Sequence, residues 1–143
     1  MTPARARLYR VVSGGLCAAF VLVGAAFLLA PGRLLSVFDA WSRDLGMATS
    51  AGEPGELYVV LAVAYMYVVS RLAWSMYRDP EDPRPARLLV HAKAASAALS
   101  FAVFFLRQPH LILLVNGIVD GAIAVLVVLL LRGSTARGEE QSA

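Results

Sequence analysis

An aspartate, an arginine and a lysine stand inside stretches that are otherwise apolar. Asp120 lies near the middle of the run 111–131, Lys93 within 86–106 and Arg71 within 57–77. Each run has about the 20 residues that a helix needs to cross a bilayer core. A carboxylate at mid-depth costs roughly 3 kcal/mol on insertion scales, and an aspartate side chain is too short to reach either interface. Asp120 must therefore be neutral or meet a partner inside the protein. A cation from a neighbouring helix offsets that cost only with good geometry and additional hydrogen bonds.

Spacing supplies the candidates. Asn116 and Asp120 are four apart and share a helix face. With a rise of about 1.5 Å per residue, Lys93 sits roughly 10 Å below the inner boundary and Asp120 roughly 16 Å below it. The lysine stem can bridge that difference, so Lys93 is the first candidate partner and Arg71 the second. Ser96 and Ser100 follow Lys93 on its own face, and Tyr67 precedes Arg71 by one turn. We expect one polar cluster of Tyr67, Arg71, Lys93, Ser96, Ser100, Asn116 and Asp120. Two interpretations compete: polar bonds that close a helix contact, or a site for a ligand or proton. Gly117 and Gly121 favour the first, because a small-xxx-small pair lets another helix approach closely. Snorkelling of Lys93 and Arg71 toward the interface is the plainest alternative for the two cations.

Other chemistry is sparse. Cys17 is the only cysteine, lies in the first apolar run and has no companion ligands. His91 and His110 fall at opposite boundaries, so no haem pair or two-histidine metal site is expected. No phosphate-binding glycine loop, nucleophile elbow or zinc motif occurs. We expect neither metal nor cofactor, and an enzyme only if the charged cluster acts on a lipid. The net charge is +3, but the basic residues flank apolar runs and form no face with interleaved aromatics, which argues against nucleic acid.

The elements that must hold these residues follow from composition. Of 143 residues, 59% are hydrophobic and 16% charged, well under the roughly 25% charge of a soluble domain. We predict an all-α, polytopic membrane protein: a four-helix bundle spanning about 8–30, 57–77, 86–106 and 111–131, forming one domain over 1–132. The run 11–30 resembles a signal peptide but exceeds the usual h-region, so we expect a retained anchor. Prolines 80, 83 and 85 stiffen the turn after the second span. The short link 107–110 makes the last two spans an antiparallel hairpin.

Arginine placement sets the orientation. One side holds Arg5, Arg7, Arg10, Arg78, Arg84, Arg87, Arg132 and Arg137, the other Arg33, Arg43 and Arg107. Both termini are therefore expected in the cytoplasm, and the bias toward Leu, Val, Ala and Arg suggests a bacterial inner membrane. In the outer loop, Leu34, Val37, Phe38, Trp41 and Leu45 recur with helical period. They predict a short amphipathic helix, lying on the outer surface or as a lid on the bundle. The segment 48–55 is expected as a flexible link and 133–143 as a disordered tail.

The first span ending in Ala30, Pro31, Gly32, Arg33, Leu34 and Leu35, the outer amphipathic segment and three further spans resemble the DoxX-like group of small four-helix bacterial membrane proteins. The resemblance implies architecture and no catalytic residue. Small residues line the first span at Gly14, Ala18 and Ala25 and the third at Ala94, Ala98 and Ala102. They point to an accessory or assembly subunit that packs against other membrane proteins or itself, among membrane lipids. The competing expectation is a lipid or amphiphile binding or transport protein, with Lys93, Arg71 and Asp120 holding a polar head.

Overall fold

The computed structural model describes residues 3–49, 56–107 and 109–135. Five helices follow one another: α1 (Pro3–Leu29), α2 (Pro31–Asp44), α3 (Glu56–Arg78), α4 (Pro83–Leu106) and α5 (Leu111–Thr135). Four of them, all except α2, are long and apolar enough to cross a membrane.

Local chemistry sets the boundaries. Pro31 has no N–H to continue α1 and is well suited to open a new helix, so α1 gives way to α2 at Ala30. Gly46 ends α2 with φ of 65°. Its N–H donates to the Arg43 carbonyl at 3.1 Å, and that of Met47 to the Ser42 carbonyl at 2.8 Å. This is a Schellman closure, which favours glycine at the left-handed position. Asp82 caps α4 by accepting the Arg84 N–H at 3.0 Å, with Pro83 in the first turn. That cap starts the helix three residues before the expected position 86. At the other end of the chain, α5 continues to Thr135 rather than stopping at 131, so residues 133–135 are helical and not tail. The rest of the expected tail, 136–143, and most of the expected link, 50–55, lie outside the described residues.

Two close pairings organise the molecule. Helix α1 runs along α3, and α4 along α5; a lesser contact joins α3 to α4. In the first pair, Gly24 meets Met66, whose Cβ lies 3.0 Å from where a Gly24 Cβ would stand. In the second, a Cβ on Gly117 would fall 2.9 Å from the Phe101 ring, so that contact requires glycine. Gly121 has more room: the nearest atom, Ala97 Cβ, is 3.8 Å away. The buried core is Tyr9, Phe20, Val69, Ala73, Met76, Ala86, Leu89 and Val127, drawn from all four long helices.

Helix α2 touches α1 and α5. Its inward residue is Ser42, whereas Val37, Trp41 and Leu45 remain about half exposed, at 49%, 55% and 60%. Leu34 and Phe38, on the same expected face, are partly buried. After α2 the chain returns to the α4–α5 turn, where His110 Nδ1 lies 3.0 Å from the Ala48 carbonyl. That contact fastens the segment after α2 to the start of α5.

Candidate functional site: a closed ion pair where four helices meet

Lys93 projects from α4 and Asp120 from α5, and the ammonium donates to Oδ1 at 2.7 Å. The two side chains are 1% and 4% exposed, so the pair is removed from any surrounding solvent. The remaining faces of the ammonium are covered by aromatic rings. Phe20 of α1 lies with its centroid 4.6 Å from Nζ, and Tyr65 of α3 at 4.9 Å. Both distances are within the range of cation–π attraction, which strengthens when the cation is desolvated. One ammonium from α4 thus collects a group from each of the other three long helices.

Neighbouring polar groups hold this arrangement in register. The Tyr65 hydroxyl donates to the Ala92 carbonyl at 3.2 Å. One turn from Asp120, the Asn116 amide donates to Ser100 Oγ at 2.8 Å and to Ser96 Oγ at 3.3 Å. These bonds tie α5 to α4 beside the ion pair. The site is incompletely satisfied all the same: Asp120 Oδ2 is buried with no hydrogen-bond partner among the described residues. The same holds for the Tyr9 and Ser13 hydroxyls on α1.

Five of the seven residues expected in the cluster come together: Lys93, Ser96, Ser100, Asn116 and Asp120. Tyr67 and Arg71 do not. Tyr67 is 66% exposed and Arg71 is exposed beside it on α3. The reason is helical geometry. Residues two apart differ by about 200° around the axis, and the inward face of α3 carries Tyr65, Val69, Ala73 and Met76. Tyr65 is the tyrosine of the site, and Phe20 its second aromatic wall; sequence reasoning named neither. Tyr65 lies four, eight and eleven residues before Val69, Ala73 and Met76 and so shares their face, but the α3 sequence alone does not say that this face turns inward. Nothing in the sequence marked Phe20 among its many apolar neighbours.

The chemistry open to such a site is narrow. The ammonium is held, the carboxylate is held by one oxygen, and none of the clefts described at the surface is lined by either residue. Among the described residues no three of His, Cys, Asp and Glu converge to hold a metal. What the geometry does directly is lock α4 to α5 and orient α1 and α3 around the same point. No family model matches the chain, and no curated protein or solved structure matches it either.

Proposed function

We propose that the chain is a multi-pass protein of a bacterial inner membrane, with a four-helix bundle, both termini in the cytoplasm and α2 at the outer surface. In this membrane it serves as an accessory or assembly subunit that packs against another membrane protein or a second copy. Its topology is that of the DoxX-like group, and no function is taken from that likeness. The observation that carries the proposal is the closure of the Lys93–Asp120 pair. A pair sealed by its own helices fastens a fold. A ligand site at the same residues would need access, and the 1% and 4% exposures leave little.

The outward surface supports the same conclusion. Only 17–28% of the most apolar stretch of each long helix is buried, so its apolar side chains need lipid or protein around them. The small residues Ala94, Ala98 and Ala102 lie on the exposed side of α4, where a close helix contact is sterically available. Arg71 and Tyr67 face outward from α3, which places a cation where it can snorkel or meet an acidic partner. The exposed apolar residues of α2 fit a helix lying in the interface.

A photo-crosslinking amino acid at Ala98 and, as control, at Ala97 tests this in native membranes. Ala98 is exposed and Ala97 is 6% exposed. We expect one discrete protein adduct from position 98, identified by mass spectrometry as the same partner in independent preparations, and none from position 97. Adducts to lipid alone from every exposed position of α4 would overturn the subunit role.

A further inference from the structure

We infer that the inner ends of α1 and α3 form a binding site for the phosphate headgroup of an anionic phospholipid. The inference rests on the membrane topology proposed above, and it puts lipid recognition away from the closed Lys93–Asp120 pair. A cleft of about 470 Å³ opens there, lined by Pro3, Ala6, Arg7, Arg10, Val11 and Tyr77. Arg7 and Arg10 are three apart, hence neighbours on one face of α1, and both are exposed. Among the described residues neither has a carboxylate within 4 Å. Guanidinium groups suit phosphate oxygens because their donors form a rigid fork.

The opposite wall is aromatic. Tyr77 lies against α1, its ring 3.4 Å from where a Gly14 Cβ would stand, an ordinary van der Waals contact. Trp74 stacks on Tyr77 at 5.4 Å between centroids and 23° between planes. Aromatic residues of this kind favour the headgroup level of a bilayer. The cleft therefore has two cations at its mouth, a fixed phenol on one side and Val11 leading toward the apolar surface.

A second cleft shares Ala6 and Arg10 and is completed by Arg78, Asp79, Pro80 and Glu81. Its carboxylates line that second cleft and not the first. The preference for a headgroup of net negative charge therefore rests on Arg7 and Arg10, which carry the phosphate. Basic pockets between helices at the cytoplasmic face are suited to such lipids.

Trp74 reports occupancy. The chain has two tryptophans, so Trp41→Phe leaves one, stacked on the cleft wall. Full-length W41F protein is reconstituted in phosphatidylcholine vesicles containing a small fraction of either brominated phosphatidylglycerol or brominated phosphatidylcholine. We expect saturable quenching of Trp74 by the anionic lipid at fractions where the zwitterionic lipid quenches only in proportion to its abundance. Arg7→Gln with Arg10→Gln should weaken the anionic preference by about thirtyfold, taking each arginine's contribution near a membrane surface. Arg33→Gln with Arg43→Gln, at the opposite end, should leave it unchanged. Equal quenching by the two lipids, or a preference that survives loss of Arg7 and Arg10, overturns the site. Relief of the quenching by millimolar inorganic phosphate overturns the lipid assignment in favour of a soluble anion. Both arginines are exposed, so their variants should fold, which unchanged circular dichroism verifies. None of these results bears on crosslinking from Ala98, so the two proposals fail separately.

Discussion

Lys93 is the largest fully buried side chain among the described residues. A buried ammonium is tolerable only because Asp120 accepts from it and two ring faces cover it, and the arrangement makes each partner dependent on the other. Removing one charge strands its partner, at a cost of about 3–5 kcal/mol in known buried pairs. Removing both leaves no uncompensated charge. We therefore expect Lys93→Met and Asp120→Asn each to lower the stability of the purified protein by about 3 kcal/mol or more, and the double variant to recover most of the loss. Reversible unfolding in mixed detergent micelles, run as a double-mutant cycle, measures the coupling. Additive losses would mean that the pair contributes no mutual stabilisation. A second, smaller effect belongs to the ring walls: Phe20→Leu should cost about 1–2 kcal/mol through the lost cation–π contact while leaving the ion pair in place.

At the scale of helices, the two pairings rest on different small residues. Gly117 cannot accept a methyl group without moving the Phe101 ring, whereas Gly121 leaves 3.8 Å to its nearest neighbour. Gly117→Ala should destabilise the α4–α5 pair by about 1–3 kcal/mol, the usual range for overpacking, and Gly121→Ala should be neutral within error. Thermal unfolding of the two variants checks the contrast, and Phe101→Leu in the Gly117→Ala background should restore stability by opening the space. This pair is also where the sequence was most legible. The short link before Leu111 forces α4 and α5 together, and the periodic spacing of Ser96, Ser100, Asn116 and Asp120 places their polar groups on facing surfaces. Legibility failed on α3. Arg71 and Tyr67 drew attention by their chemistry, but an apolar helix surrounded by lipid can turn its polar residues outward. Rotation was instead set by Gly24 against Met66 and by the small residues that let α3 pack on its neighbours. The choice of Tyr65 over Tyr67 is therefore a property of the packed pair, not of the α3 sequence alone. A helix at α2 was legible from its period, but period fixes only which residues share a face and not what that face meets.

For the whole molecule, orientation is the property on which the proposed roles of its surfaces depend. In the proposed topology four spans return the chain to its starting side, and the arginines are distributed unequally between the two ends. Arg5, Arg7, Arg10, Arg78, Arg84, Arg87 and Arg132 cluster at one, against Arg33, Arg43 and Arg107 at the other. Lys and Arg in short loops resist translocation, so the proposed topology keeps the richer end inside. In that topology the Arg7–Arg10 cleft lies in the leaflet whose anionic lipids give a negative surface potential, and α2 with its exposed Trp41 lies at the opposite interface. Single cysteines in a Cys17→Ser background decide the matter. Ser36 lies on α2 and Glu81 in the α3–α4 turn, and both are exposed. With a membrane-impermeant maleimide, we expect Ser36→Cys to label in spheroplasts whose inner membrane is intact and Glu81→Cys to label only after that membrane is permeabilised. The reverse pattern would place the arginine-rich end outside. The lipid cleft would then face a leaflet reached from the other side, and α2 would lie on the cytoplasmic surface. Labelling of both cysteines before permeabilisation would show that the four helices do not separate these two ends across a bilayer, which removes the multi-pass topology itself.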